Sequence, residues 1–161
     1  MCNLDGIQIK LREIWSENWK NSLHDKPKLR TYVLLKNVYE TEDFVKYCYS
    51  RSDTLLISQL RFGILPLHIE TGRFRNLKVE EWLCIICNLQ KTEDEIHFVC
   101  KCEVLKEPRN ESYEIVQRKY TMFVNLDIKD KGINLMKNEW KQMSIFIEKA
   151  SCMVYQKEYN V

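Results

Sequence analysis

The chain has 161 residues, 45% of them hydrophobic and 30% charged, which is enough apolar material for a packed core and argues against wholesale disorder. Its formal net charge of +2 is too small to argue for a polyanionic partner by itself. No apolar run reaches the roughly 18 residues that a membrane span needs, and Met1-Cys2-Asn3-Leu4-Asp5 offers neither a basic nor an apolar leader region.

Seven cysteines are an odd number. With no leader in view, the expectation is an intracellular chain, nuclear or cytoplasmic, in a reducing compartment. There a Cys-x-x-Cys pair reads as a metal or redox site rather than a disulfide staple. Residues 1–80 carry 13 Lys+Arg against 10 Asp+Glu, and residues 81–161 carry 12 against 13. The basic excess lies in two short runs, Lys26, Lys28, Arg30 and Lys36, then Arg61, Arg73, Arg75 and Lys78. Such runs suit phosphate contacts or an ordinary solvated face.

In chain order, Ile7, Leu11, Ile14, Trp15 and Trp19 recur at helical spacing and predict an amphipathic helix. Pro27 suits a first helical residue, and Leu29, Tyr32, Val33 and Leu35 continue a second helix. Thr41, Glu42 and Asp43 mark the start of a short helix carrying Phe44, Val45 and Cys48. Ser52 and Asp53 predict a cap for a helix over 54–62, which Gly63 ends in a left-handed conformation. Residues 63–79 read as an ordered loop, and Val79 to Trp82 as one helical turn.

Residues 111–123 suggest another helix, with Tyr113, Val116, Tyr120 and Phe123. Asn138 is expected to cap a last helix whose stripe is Trp140, Met143, Ile147, Ala150 and Val154. Strand signals are few. The expected fold is therefore mostly α: an N-terminal helical region over 1–80, a zinc knuckle over 81–104, and C-terminal helices over 105–161 packing back on the same body.

The chemistry-bearing segment is Cys84-Ile85-Ile86-Cys87, then nine residues, then His97-Phe98-Val99-Cys100-Lys101-Cys102. A two-residue gap brings two thiolates to one ion, and His97 with a later cysteine completes a tetrahedron. Cys100 and Cys102 are both within reach; the His-x4-Cys spacing favours Cys102. Thr92-Glu93-Asp94-Glu95 matches a capping box that would start a helix carrying His97. A redox pair would need a βαβ context that the pattern lacks. His24, His68, Cys2, Cys48 and Cys152 have no such company and are expected to be unligated. Four protein ligands leave no position for water, so the expected zinc is structural and not catalytic.

The segment Cys84-x2-Cys87, Glu93-Asp94-Glu95-Ile96-His97-Phe98 and Cys102 resembles the zinc-binding (CCHC) segment C-terminal to reverse transcriptases of non-LTR (LINE-type) retrotransposons. Pro27-Lys28-Leu29-Arg30-Thr31-Tyr32, Leu60-Arg61-Phe62-Gly63 and Ile69-Glu70-Thr71-Gly72-Arg73-Phe74 resemble blocks that precede those cysteines in animal retroelement polyproteins. The resemblance implies RNA or DNA binding, or descent from it, and no catalysis, since the polymerase's paired-aspartate motif is absent. On that reading Lys28, Arg30, Arg61, Arg73 and Arg75 contact phosphates, and Phe74 or Trp82 stacks on a base. The alternatives are a zinc-stapled protein–protein interaction module and an inactive retroelement remnant. A hydrolase is not expected, because Glu93, Asp94 and Glu95 suit a helix N-terminus without any catalytic role.

Overall fold

A computed structural model describes residues 4–47, 50–87 and 89–159. It is a small all-α domain, 76% helical, with no strand among the described residues. The helices are α1 (Leu4–His24), α2 (Arg30–Leu35), α3 (Asp43–Tyr47), α4 (Arg51–Arg61), α5 (His68–Thr71), α6 (Lys106–Lys119), α7 (Ile128–Asn138) and α8 (Trp140–Tyr159). Short 3-10 turns link several of them, and one π-turn spans His97–Lys101.

The core is organised on α8. Met143, Phe146, Ile147 and Ala150 recur every three or four residues, and all are fully buried. This face packs against α6, α4 and α7. Ile57 and Leu60 enter from α4, Leu105 and Val116 from around α6, and Leu135 and Met136 from α7. Each such side chain stabilises the fold by about 1.5–3 kcal/mol relative to exposure. Phe98 meets Phe146 edge to face at 5.5 Å, which seats the π-turn directly on α8.

Helix boundaries follow side-chain chemistry more closely than apolar period. The Ser50 hydroxyl, not Ser52 or Asp53, caps α4 by accepting from the Asp53 N–H. Gly63 ends α4 at φ +64°, with its N–H donating to Leu60 O at 3.3 Å and the Ile64 N–H to Gln59 O at 2.9 Å. These two bonds are the Schellman closure that only a left-handed residue permits cheaply. The expected loop over 63–79 instead contains α5 and the 3-10 turns Gly72–Arg75 and Val79–Glu81.

α6 begins at Lys106, five residues before the periodicity suggested, because Pro108 falls in its first turn, where a missing N–H costs nothing. α7 went unread in the sequence; its start is Asp127, whose carboxylate accepts from the Asp130 N–H at 2.8 Å. Asn138 is the last residue of α7 rather than a cap for α8.

α1 forms as expected; its C-terminal turns pack on the body, and Arg12 at its middle pairs with Glu40 at 3.1 Å. Leu23 is buried and Trp19 packs on Tyr32 and Tyr39. Ile7, Leu11, Ile14 and Trp15 stay exposed.

Candidate metal centre

The cluster is built from two small devices. The first is a hairpin. The Cys84 N–H donates to Lys91 O and the Glu93 N–H to Trp82 O, both at 2.9 Å, around an antiparallel bridge between Leu83 and Thr92. Its loop carries Cys84 and Cys87, and Gln90 takes a left-handed φ of 48° to close it. Thr92 is thereby occupied in the bridge, so the expected capping box does not form. Asp94 caps instead, its Oδ1 accepting from the His97 N–H at 2.6 Å.

The second device is the π-turn. In an α-helix of 3.6 residues per turn, position i+5 lies about 140° round the axis from i. Here the Cys102 N–H reaches back five residues to His97 O at 2.8 Å. The wider turn brings residue i+5 back towards the face of residue i, so His97 and Cys102 can serve one point. Such insertions recur at functional sites.

The result is that Cys84, Cys87, His97 and Cys102, all buried, place their ligand atoms within 4.8 Å of one another. Cys84 Sγ lies 3.9 Å from Cys102 Sγ, and Cys87 Sγ lies 3.3 Å from His97 Nε2. Metal–ligand bonds of about 2.3 Å to sulfur and 2.0 Å to nitrogen imply tetrahedral edges of roughly 3.5–3.8 Å. The donor set therefore fits a four-coordinate cation, with Nε2 as the His97 nitrogen that faces the Cys87 sulfur.

Cys100 is excluded from this group. Its thiol is fully buried against α7, 4.0 Å from Lys129 O, and burial pushes it up to about 11. It is a packing residue. Cys152 is exposed and stands apart from the cluster, while Cys2 and Cys48 lie outside the described residues.

The cluster's thiols titrate as neighbours of one another. The Cys84 thiol is pushed up to about 12, first by its hydrogen bond to Cys102 and then by burial. Accepting that bond holds Cys102 below the usual thiol range. Burial also raises Cys87. Three thiolates this close cannot all ionise unless a positive ion sits between them.

A supporting shell surrounds the four ligands, and sequence reading missed most of it. Arg109, 2% exposed, donates to Cys102 O at 3.1 Å, bracing the backbone that carries the last cysteine of the group. Lys157 of α8 donates to Ile86 O at 2.6 Å. Glu93 Oε1 accepts from Cys84 Sγ at 3.6 Å while its Oε2 accepts the His68 N–H at 2.9 Å. Glu93 and Glu95 were expected only to favour a helix start; both are buried and bond across the fold. The only sequence signal for them was the unusual density of acids beside the ligands.

Of the cations assigned to phosphates, Lys28, Arg30 and Arg61 are engaged within the fold. Lys28 is ion-paired to Glu70 at 2.5 Å. Arg30 grips both oxygens of Glu95, at 2.9 and 2.6 Å. Arg61 is 2% exposed, donates to Met136 O and Glu42, and lies 5.2 Å above the Phe44 ring. It is a scaffold residue with no access to a phosphate, which corrects its expected role. Its position on the inward side of α4, facing Phe44 and Glu42, is the reason. Arg75 is exposed, and the Arg73 side chain lies outside the described residues. Trp82 is half-buried and donates from Nε1 to Leu77 O, so it serves packing.

The sequence blocks around Lys28, Gly63 and Glu70 converge on the acids next to the cluster. Lys28 O lies 2.3 Å from where a Cβ on Gly63 would sit, and Glu95 Oε1 is 3.3 Å away. Fold and site together define a small all-α domain with a buried Cys3His cluster that can hold a metal ion. No family pattern, no curated protein and no solved structure matches the chain.

Proposed function

We propose that Cys84, Cys87, His97 and Cys102 bind one structural zinc ion, and that the chain is a non-catalytic, zinc-stabilised module that binds RNA or DNA. The observation that carries the metal reading is the buried group of four ligand atoms within 4.8 Å. Three sulfurs and an imidazole nitrogen are a donor set suited to zinc. All four positions come from protein, so the ion would supply folding energy and no activated water. Thiols that must stay reduced suit an intracellular setting.

The nucleic-acid half rests on the resemblance of the CCHC segment and its upstream blocks to the region that follows retroelement reverse transcriptases. It is supported by the basic residues that remain at the surface, Arg75 and Lys78 among them. Metal analysis of the purified chain is expected to give one zinc per molecule, and Cys84→Ser to lose it together with helicity. Labelled RNA and DNA should bind, with affinity falling steeply as salt rises. Full helicity in the presence of a strong chelator would refute the structural zinc, and no binding at low salt would refute the nucleic-acid function.

A second reading, a protein-interaction module, is favoured by one observation. Ile7, Leu11, Ile14 and Trp15 form an exposed apolar stripe on α1, and a groove of about 1090 Å³ runs between this helix and the segment bearing Tyr39 and Lys46.

A further inference from the structure

We infer that the exposed face of α1 pairs with the same face of a second copy of this chain, as an antiparallel two-helix interface. The inference is independent of the zinc and nucleic-acid readings, and it gives the interaction reading one definite partner.

α1 has two faces. At about 100° of rotation per residue, Arg12, Ser16, Trp19 and Leu23 fall within about 60° of arc. This face meets the chain's own body. Leu23 is buried, Trp19 packs on Tyr32 and Tyr39, and Arg12 pairs with Glu40 at 3.1 Å. Ile7, Leu11, Ile14 and Asn18 fall within a second arc of about 60°, centred about 140° from the first. Ile7, Leu11 and Ile14 stay 42–49% exposed, and Trp15 at the edge of the stripe 56%. The positions 7, 11, 14 and 18 alternate steps of four and three residues. That is the seam of a two-helix pairing, narrower than the stripe of a helix sunk in a core.

Charge selects the occupant. α1 carries Asp5, Glu13 and Glu17 against Lys10, Arg12 and Lys20, so it favours neither an acidic nor a basic partner. A membrane surface calls for a basic polar face, which this balance does not provide. The flanks of the seam match each other instead. Two copies lie antiparallel about a two-fold axis between residues 12 and 13. Leu11 of each then meets Ile14 of the other. Lys10 and Glu17 are both exposed and lie on one flank, one heptad apart. Each Lys10 therefore faces the other copy's Glu17, and the match occurs twice. A shift of one heptad towards the N-terminus opposes Lys10 to Lys10. A parallel pairing sets Lys10 and Glu17 against Trp15 and Ser22, with no ion pair.

Covering the two stripes withdraws on the order of 1,000 Å² from water, enough for a weak, concentration-dependent dimer and short of a permanent one.

The test is sedimentation equilibrium of the full chain from micromolar to near-millimolar concentration. Wild type should pass from monomer to dimer. Leu11→Lys buries an unpaired charge in each central layer and should raise the dissociation constant at least about ten-fold. Lys10→Glu and Glu17→Lys should each weaken the dimer about five-fold by opposing like charges. Mixing those two variants should restore association, because every Glu on the flank then meets a Lys. Helicity should be unchanged in all three, since the side chains are exposed. A monomer throughout the range overturns the dimer and spares interaction with another kind of protein. A dimer that Leu11→Lys leaves intact, or charge variants that mixing does not rescue, overturns the antiparallel seam. Zinc content and oligonucleotide binding of the same samples report separately on the other two readings.

Discussion

Arg30 and Glu95, 65 residues apart, form a two-pronged ion pair that joins the first residue of α2 to the stem of the metal cluster. The pair is asymmetric: the Arg30 side chain is 27% exposed and that of Glu95 only 1%. Glu95 stands one residue after the cap of the π-turn and two before His97, so whatever orders the cluster also orders this contact.

Removing either partner should therefore have unequal effects. Arg30→Ala strands a buried carboxylate and is expected to destabilise the zinc-loaded chain by about 3 kcal/mol, near the low end for a broken buried pair. Glu95→Ala leaves a guanidinium that can turn to water, at about 1–2 kcal/mol. Urea denaturation of the two single variants and the double variant measures this. Equal losses would refute the asymmetry, and strict additivity in the double variant would show that the pair is not coupled.

Gly132 lies mid-helix in α7, where alanine would ordinarily be favoured by about 1 kcal/mol. Here the expected sign is reversed, because a Cβ at 132 would sit 2.2 Å from Cys100 Sγ. Gly132→Ala should destabilise by about 1–3 kcal/mol. Adding Cys100→Ala should recover much of that loss and leave zinc binding in place, since Cys100 stands outside the ligand group. Thermal melts of the three variants decide it; loss of zinc from Cys100→Ala would reassign the fourth ligand.

Metal binding should be linked to protons. The Cys84 thiol is held up to about 12 and Cys87 is also raised, so both are protonated near neutrality without a cation. A metal takes the thiolate, so protons compete with it. Zinc affinity should fall as pH falls from about 8 to about 6, and binding should release more than one proton. Calorimetry in buffers of different ionisation enthalpy reads the protons directly. An affinity that does not change over this range would contradict the thiolate assignment.

How much of this was legible in the chain differs from residue to residue. The grouping of Cys84, Cys87, His97 and Cys102 was readable because their spacing is a local matter: a two-residue gap makes one turn, and a four-residue gap makes another. The last helix was readable because one apolar face recurs over about four turns, from Trp140 to Val154. Its partner α7 was not, since Gly132 weakens its propensity and its cap is a single aspartate. Gly63 announced itself, because few residues other than glycine take φ near +64° without cost.

The sequence by itself determined a helical chain with a Cys3His cluster, through periodicities and spacings that act over a few residues. Only the tertiary structure decided which cations face water. Arg30, Arg61 and Arg75 look alike in the chain, yet their partners lie 65 and 19 residues away for Arg30 and Arg61, and Arg75 alone of the three is exposed. The same holds for the stripe of α1, which has the pattern of a core helix but stays exposed. Burial is a property of what packs across from a residue, and no local pattern encodes that.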